Sequence, residues 1–256
     1  MEFVTYQCEN RIGYVTLSRP EKRNALNYQV VSELKKAFEV AANDKEAKVV
    51  VLKATGEAFC AGADLGYLQQ LQKNSYQENL EDSTHLKELF LQLYTMPKVV
   101  IASIQGHAIA GGSGLAAVCD FSFSVPKAKF GYTEVRIGFI PAIVMIFLLR
   151  KIGEHKTKNL LLSGRLISAK EAVDYGLINQ VVKEDLDQEV TDFAQELINN
   201  NSTQSMAATK QMIAKVQHLT LEEALNYAVE QNAHTRSTED CKKGIASFLN
   251  KEPVRW

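Results

Sequence analysis

The chain has 256 residues, with 29 Lys and Arg side chains against 30 Asp and Glu, and a formal net charge of −1 at pH 7. Its 46% hydrophobic and 23% charged residues are typical of a soluble globular protein with a sizeable core, and they disfavour a disordered chain. A net charge near zero gives no general electrostatic attraction to nucleic acid or to an anionic membrane, so neither is predicted as a partner.

The cysteines and the apolar segments predict a cytoplasmic protein. The cysteines lie far apart, without the spacing of a zinc site or the density of a disulfide framework: Cys8, Cys60, Cys119 and Cys241. The N-terminal residues lack the basic and apolar regions of a signal peptide. The longest apolar stretch, Phe139 to Leu149, is shorter than the roughly 20 residues that span a bilayer. We therefore expect reduced thiols and no membrane partner.

Strand and helix patterns alternate in the first half of the chain. Asn27 is the predicted N-cap of a helix whose apolar spacing begins at Val31, and residues 64–94 also carry helical spacing. Short apolar or alternating runs predict strands, and the two central runs are typical of strands covered on both faces. These runs are 11–17, 49–52, 99–104 and 121–125.

Capping residues mark the helices of the second half. Pro141 begins an apolar helix that Gly153 is predicted to end, and capping boxes open helices at 168–171 and 220–223. Gly176 ends the first of these capped helices, before a strand predicted over 177–182.

No strand pattern follows Asp185. The chain is therefore predicted to divide into a core of strands and helices over residues 1–195 and a helical C-terminal segment over residues 196–256.

Two glycine-rich turns follow predicted strands, over residues 59–64 and 106–115, and the second opens a helix. Small residues let backbone N–H groups approach a ligand, and a helix N-terminus favours negative charge. Two such N–H groups facing one point would form an oxyanion hole. The alternative is that both segments are only tight turns that pack a strand against a helix.

Residues 112–117 also match the GxGxxA form of the dinucleotide fingerprint, and Glu134 lies 20 residues beyond Gly114. A dinucleotide site needs a strand directly before the glycines, whereas residues 107–110 intervene here. This context disfavours a dehydrogenase.

Glu134 precedes an apolar turn and is a candidate acid or base. The alternative is an exposed glutamate paired with Arg136.

Several motifs together resemble the crotonase (enoyl-CoA hydratase/isomerase) superfamily over essentially the whole chain. The resemblance implies an α/β fold, the crotonase spiral of repeated ββα units with a C-terminal helical trimerisation segment, and a homotrimer or hexamer. Within the family, residues 110–116 and 129–144 look most like bacterial methylglutaconyl-CoA hydratases of leucine breakdown. The motifs occur in the family's order at 19–27, 59–65, 106–120, 130–141, 162–168, 172–182 and 237–248.

The resemblance also implies roles for single residues. The backbone N–H groups of Ala63 and Gly111 would form the oxyanion hole for an acyl-CoA thioester, and Glu134 would be the acid/base. No metal or redox cofactor is implied. Lys22 and Arg23 are candidates for binding the CoA phosphates. The positions implied to bind substrate are Arg23, Ala25, Ala61, Asp64, Leu65, Gly114 and Tyr132.

One residue departs from the family pattern. Hydratases of the usual type carry two glutamates, and Gly114 stands where the earlier one is expected. One carboxylate can serve as both base and acid if it returns the proton that it takes. The expected function is therefore an enoyl-CoA hydratase. A single-glutamate double-bond isomerase, an acyl-CoA decarboxylase and a CoA-thioester binder without catalysis stay open.

Polar side chains near these motifs could recognise a branched, carboxylated acyl chain. Tyr67, Lys73 and Tyr76 follow the first glycine-rich turn, and Tyr132 precedes Glu134. For each of them a surface or packing role is the alternative. His107 is predicted to be a hydrogen-bonded structural histidine.

Overall fold

The structure is a computed structural model that describes residues 1–254 and 256. The strands of these residues are β1 (Val4–Glu9), β2 (Ile12–Leu17), β3 (Val49–Ala54), β4 (Ala58–Cys60), β5 (Val99–Ile104), β6 (His107–Ile109), β7 (Phe121–Ser124), β8 (Lys129–Gly131), β9 (Leu166–Ser168) and β10 (Gln180–Val181). Their helices are α1 (Tyr28–Asn43), α2 (Leu65–Leu71), α3 (Tyr76–Thr95), α4 (Gly111–Val118), α5 (Ala142–Ser163), α6 (Ala169–Tyr175), α7 (Leu186–Asn200), α8 (Thr203–Val216), α9 (Leu221–Thr235) and α10 (Glu239–Asn250).

A six-stranded sheet forms the centre, in the order β1-β2-β3-β5-β7-β10. Only the β1–β2 pair is antiparallel among the strand pairs of this sheet in the described residues. Alternate residues of β3 face opposite sides: Val50 and Leu52 belong to the core that contains α1 and α4, whereas Val49 and Val51 pack with α7. This confirms the prediction of apolar strands covered on both faces.

A second sheet, β4-β6-β8-β9, is built from strands of three residues each. Its first three strands each follow a parallel strand of the large sheet and are each followed by a helix: β3-β4-α2, β5-β6-α4 and β7-β8-α5. The chain therefore repeats a ββα unit, as the resemblance implies. Because β4 and β6 pair in parallel, the turns that leave them meet at one edge.

The structure corrects several predicted boundaries. The short strands of the second sheet were not predicted, and the strand expected over 177–182 is limited to Gln180–Val181. The range of α5 contains two helices that meet at a kink at Gly153, whose φ of 75° and ψ of 170° are not helical. The apolar helix therefore ends at Gly153 as predicted, and a second helix, which was not predicted, continues to Ser163. Pro141 is the residue before the first helical position.

The predicted caps are confirmed. The Asn27 side chain accepts a hydrogen bond from Val30 N–H, and Ser168 and Thr220 each form a complete capping box. Gly176 ends α6 in the left-handed conformation. Short polar side chains satisfy the first free N–H groups of a helix, which explains why these boundaries can be read from the sequence.

The C-terminal part of the described chain is helical after β10. The predicted division at residue 195 falls inside α7, whose Val190, Ala194 and Ile198 pack against the large sheet. The division into core and C-terminal segment therefore stays a prediction. Among the described residues, α9 and α10 contain no buried side chain, and no helix is long and apolar enough to cross a membrane.

Candidate functional site

The turn that precedes α1 is hydrogen-bonded to the first glycine-rich turn. Ala61 N–H donates to the Arg23 carbonyl over 3.0 Å, and Leu26 N–H donates to the Gly62 carbonyl over 2.7 Å. Asn24 anchors the turn from inside, because its Nδ2 donates to the carbonyls of Thr55 and Ala58, each over 2.8 Å. The structure thus places the predicted binding residues Arg23 and Ala61 beside each other. Ala25, also predicted to bind, is buried within the same turn.

Asp64 holds the end of this turn and the start of α2. Its Oδ1 accepts hydrogen bonds from Gly66 N–H and Tyr67 N–H, and its Oδ2 pairs with Arg19 over 2.8 Å. Burial opposes ionisation of Asp64, but these hydrogen bonds and the arginine hold its pKa below its usual value. Asp64 is predicted from the sequence to bind substrate. In the structure its two carboxylate oxygens instead cap α2 and pair with Arg19.

The two glycine-rich turns touch each other. A Cβ on Gly62 would lie 2.8 Å from Ala110 Cβ and 3.7 Å from Gly111 N, and a Cβ on Gly112 would lie 2.1 Å from the Cys60 carbonyl oxygen. Ala110 itself has φ 51° and ψ −121°, a backbone conformation that is costly for a residue with a side chain. Glycine is required where the backbones approach this closely.

The two proposed oxyanion donors are both free. No hydrogen bond within the described residues uses the N–H of Ala63 or of Gly111. Ala63 is exposed, and Gly111 is the only residue of α4 that is not fully buried. An oxyanion hole needs two unused backbone donors aimed at one point, and these two unused donors lie on turns that touch each other.

Gly114 lies inside the protein, one turn into α4. A Cβ at this position would lie 2.4 Å from Val144 Cγ1 and 3.0 Å from Phe90 Cε1. Apolar side chains from α5 and α3 therefore occupy the space that a longer residue would need. The sequence of α4 is GGSGLAAV, so no residue of this helix carries a carboxylate.

Glu134 begins a short 3-10 helix, Glu134–Ile137, between β8 and α5. Its side chain is partly buried, and Oε2 is a buried atom without a hydrogen-bond partner in the described structure. Burial raises the pKa of this carboxyl above its ordinary value. Among the described residues no ion pair joins Glu134 to Arg136, so the alternative of a salt-bridged surface glutamate is wrong.

The family described as enoyl-CoA hydratase/isomerase matches residues 7–256. The chain belongs to this family. A Thermus thermophilus protein provisionally named an enoyl-CoA hydratase is 37% identical to it, over 97% of this chain and 98% of the relative. The (E)-benzylidenesuccinyl-CoA hydratase of Thauera aromatica is 32% identical over 96% of this chain and 95% of the relative.

The fold agrees with this membership. A crystal structure of an enoyl-CoA hydratase from Shewanella pealeana superimposes with a TM-score of 0.93 at 27% identity, covering 99% of this chain and 96% of that one. The chain therefore has the crotonase fold, and it is an enzyme of the hydratase type. The dinucleotide alternative also fails in the structure, because residues 112–117 lie within α4 and not in a strand-to-helix turn.

Two buried hydroxyls lie in this part of the hydratase-family chain: Tyr132 is near the carboxyl of Glu134, and Ser113 is near Tyr132. The side chains of Tyr132 and Ser113 are fully buried, and neither hydroxyl has a hydrogen-bond partner among the described residues. Tyr132 was predicted to line the substrate, whereas the structure buries it in the core. Ser113 was not predicted. Its only signal in the sequence is that it is the one polar side chain of α4.

The remaining predicted residues lie at the surface or have structural partners. Leu65 and Tyr76 are 78% and 82% exposed, and Lys73 is exposed. The Tyr67 hydroxyl donates to Asp82, which leaves it engaged between α2 and α3. His107 is exposed, and its Nδ1 accepts a hydrogen bond from a backbone N–H over 3.2 Å, as expected of a structural histidine.

Metal ligands are not clustered in the described part of the chain. No group of three or more His, Cys, Asp or Glu side chains there is arranged to hold a metal ion. The candidate site offers two backbone donors, one carboxyl and two buried hydroxyls. Such a set can polarise a carbonyl oxygen and move a proton.

Proposed function

We propose that this chain adds water reversibly to an enoyl-CoA thioester, with Glu134 as its only acid/base carboxyl. The observation that carries the proposal is the partly buried carboxyl of Glu134, whose Oε2 has no hydrogen-bond partner in the described part of the chain, together with two free backbone N–H donors. A raised pKa suits a group that must both take and return a proton near neutral pH. The names of the relatives support hydration as the reaction.

The mechanism has two steps. The N–H groups of Ala63 and Gly111 bind the thioester oxygen, and Glu134 takes a proton from water while the water oxygen bonds to the β-carbon. The electron pair of the double bond moves to the thioester, where the two N–H groups stabilise the resulting enolate. Glu134 then gives its proton to the α-carbon. All atoms of the water enter the product, and the enzyme regains its starting state.

A double-bond isomerase is the second candidate, because the space at Gly114 is filled. Moving a double bond needs one group that takes a proton at one carbon and returns it at another, and no second carboxyl. Val144 and Phe90 leave the site with only Glu134 for such work. The isomerase and the hydratase share the oxyanion donors, so the reaction observed must separate them.

The acyl chain is proposed to be branched and to carry a carboxylate, with methylglutaconyl-CoA as the leading example. One relative is named for a substrate whose acyl group is a succinyl derivative, which supports a carboxylated chain. Lys73 and Tyr76 supply an exposed cation and an exposed hydroxyl on the segment after the first glycine-rich turn, and they are proposed to recognise this chain.

Lys22 and Arg23, both exposed on the anchored turn, are proposed to bind the CoA phosphates.

No metal or redox cofactor is proposed for this reaction, since the backbone donors would take the place of a Lewis acid.

A homotrimer or hexamer is also proposed. Its support is the row of exposed apolar side chains on α9, where Leu221, Leu225 and Val229 are 78%, 58% and 68% exposed. Apolar patches of this kind mark contacts between chains.

The proposal is tested by incubating the purified protein with methylglutaconyl-CoA, crotonyl-CoA and a 3-enoyl-CoA. Loss of the conjugated double bond and formation of the 3-hydroxyacyl product are followed separately from double-bond migration. Hydration of at least one conjugated substrate, fastest with methylglutaconyl-CoA, is expected. Migration without hydration would favour the isomerase, and release of carbon dioxide from a carboxylated substrate the decarboxylase. Binding without turnover would contradict an enzymatic role.

A further inference from the structure

Three polar atoms that lack partners lie in one part of the interior. They are Ser113 Oγ on α4, the Tyr132 hydroxyl just after β8, and Glu134 Oε2. A hydrogen bond from Ala110 N–H to the Gly131 carbonyl, over 2.7 Å, joins the start of α4 to the end of β8. This bond brings Ser113 and Tyr132 together. Both neighbours influence the pKa of Tyr132: the charge of Glu134 raises it, and the hydrogen-bonding capacity of the Ser113 hydroxyl lowers it.

The needs of these three groups are complementary. A carboxylate oxygen accepts hydrogen bonds only, whereas serine and tyrosine hydroxyls can both donate and accept. Leaving buried polar groups unpaired is costly, and a closed chain of them would remove that cost. If Ser113 donates to Tyr132 and Tyr132 donates to Glu134, every member of the group is satisfied without help from any other residue.

We propose that Tyr132 is a positioning residue for Glu134: in the working enzyme its hydroxyl accepts a hydrogen bond from Ser113 and donates one to Glu134 Oε2. The chain of hydroxyls orients the carboxyl and stabilises its ionised form. The proposal deepens the proposed function and rests on it for the role of Glu134. Because position 114 is glycine and not a second glutamate, the Tyr132 hydroxyl is the group that hydrogen-bonds to the acid/base carboxyl in this proposal.

The protonation state of Tyr132 suits this role. Burial raises the pKa of the Tyr132 hydroxyl, so it keeps its proton and remains a donor throughout the range in which Glu134 titrates. A hydrogen bond to an ionised acceptor is stronger than one between neutral groups. The effect on Glu134 opposes the effect of burial, because a donor favours the charged carboxylate.

Few other charges face Glu134. On α4, and on α5 through Leu149, no side chain is ionisable. On its own turn the ionisable neighbour is Arg136, whose Nε lies 3.2 Å from where a Cβ on Gly164 would be. Lys129 is exposed at the far end of β8. A change in the titration of Glu134 in a Tyr132 variant is therefore attributable to the lost hydroxyl.

The test compares the pH dependence of kcat/KM for hydration in wild type, Tyr132→Phe and Ser113→Ala. Removing the donor should move the acid limb of the profile upward by about one pH unit in Tyr132→Phe. Ser113→Ala should move it in the same direction by less, and should add nothing when Tyr132 is already Phe, because Ser113 acts through Tyr132. Thr157→Val is the matched control, since Thr157 also has a buried, unpartnered hydroxyl, on α5. This control should leave the limb unmoved.

A second readout does not depend on activity. Titration of the Glu134 carboxyl by ¹³C NMR, assigned with Glu134→Gln, should show the same upward shift in Tyr132→Phe. If the wild type hydrates no substrate, the proposed function fails while this titration still decides the present proposal. An unchanged Glu134 titration in folded Tyr132→Phe would overturn it, as would an equal shift in Thr157→Val. If Tyr132→Phe does not fold, an unchanged titration in Ser113→Ala overturns it.

Discussion

At the scale of single residues, the site depends on which groups are buried without a partner. Glu134 has no basic residue paired to it among the described residues, and burial is the largest influence on its carboxyl. Its pKa is therefore raised, and the protein must keep the carboxyl ready both to lose and to gain a proton. The arrangement differs from Asp64, whose buried carboxylate is ion-paired and hydrogen-bonded on both oxygens.

The raised pKa predicts a pH dependence of the reaction. As a base in the free enzyme, Glu134 must be ionised, so kcat/KM for hydration should fall as the pH drops through its pKa. That acid limb should lie above the value of about 4.3 for an ordinary glutamate. A profile measured with crotonyl-CoA checks it. A limb at or below the ordinary value would contradict the account of burial.

A second prediction concerns Gly114. In Gly114→Ala the new Cβ would press on Val144, a β-branched side chain that cannot easily move aside. Overpacking costs about 1–3 kcal/mol, against a gain of about 1 kcal/mol from replacing glycine in a helix. We expect a net loss in the free energy of unfolding, measured with urea.

The control for this prediction is the same substitution in a Val144→Ala background. There the space is open, and Gly114→Ala should cost less or become stabilising. An equal cost in both backgrounds would show that Val144 does not set the limit on side-chain size. Gly114→Glu should likewise destabilise the protein and should not raise the rate of hydration.

At the scale of secondary-structure elements, Asp64 couples α2 to the anchored turn before α1. Asp64→Ala removes the cap, worth about 1 kcal/mol, and leaves Arg19, whose side chain is 11% exposed, with only the exposed and more distant carboxylate of Glu21 at 3.8 Å. We expect a loss of about 3 kcal/mol in the free energy of unfolding. Ser75→Ala, which removes only the cap of α3, should cost about 1 kcal/mol. Similar losses in the two variants would contradict the importance of the ion pair.

The contribution of Asp64 should also depend on pH in a defined direction. Its folded pKa lies below the unfolded value of about 3.9. The stabilisation is therefore present above the unfolded value and is lost as the pH falls through the folded pKa. Unfolding with urea at several acidic pH values should show the difference between wild type and Asp64→Ala shrinking as the pH falls.

The secondary-structure elements differ in how far the sequence predicts them. Helices with capping residues, such as those after Asn27, Ser168 and Thr220, were located because the signal is local. The three-residue strands of the second sheet were missed, because three residues are too few for an alternating pattern. Their strand conformation depends on pairing with segments far away in the chain, as β4 does with β6.

The candidate site divides in the same way. The glycine-rich turns and Glu134 could be proposed as site residues from the sequence, because their motifs are contiguous. Other features of the site depend on packing between α3, α4, α5 and β8. Val144 and Phe90 fill the space at Gly114, and Ser113 and Tyr132 share one buried region. No pattern of residues in the sequence specifies those contacts.

At the scale of the whole molecule, the C-terminal helices leave apolar surface exposed in a single chain. On α10, Ile245, Phe248 and Leu249 are 54%, 83% and 72% exposed, in addition to the row on α9. Burying such side chains is worth about 1.5–3 kcal/mol each, so association should be favourable. We predict a trimer or hexamer of the 28.5 kDa chain by light scattering.

Two variants test where the chains meet. Val229→Glu and Phe248→Glu, each placing a charge on an exposed apolar face, should lower the measured mass with little effect on the fold of the monomer. Lys183→Glu, at an exposed position before α7, is the control for a change of charge alone. A wild-type mass of one chain at micromolar concentration would contradict the prediction of an oligomer.

The central claim is that one carboxyl, Glu134, carries the acid/base chemistry of an enoyl-CoA hydratase. The most direct measurement is the rate of hydration of crotonyl-CoA or methylglutaconyl-CoA by wild type, Glu134→Gln and Glu184→Gln, the last being the same chemical change at an exposed site. Glu134→Gln should lower kcat roughly 10²- to 10⁴-fold while folding normally, and Glu184→Gln should match wild type. Full activity in Glu134→Gln would contradict the account.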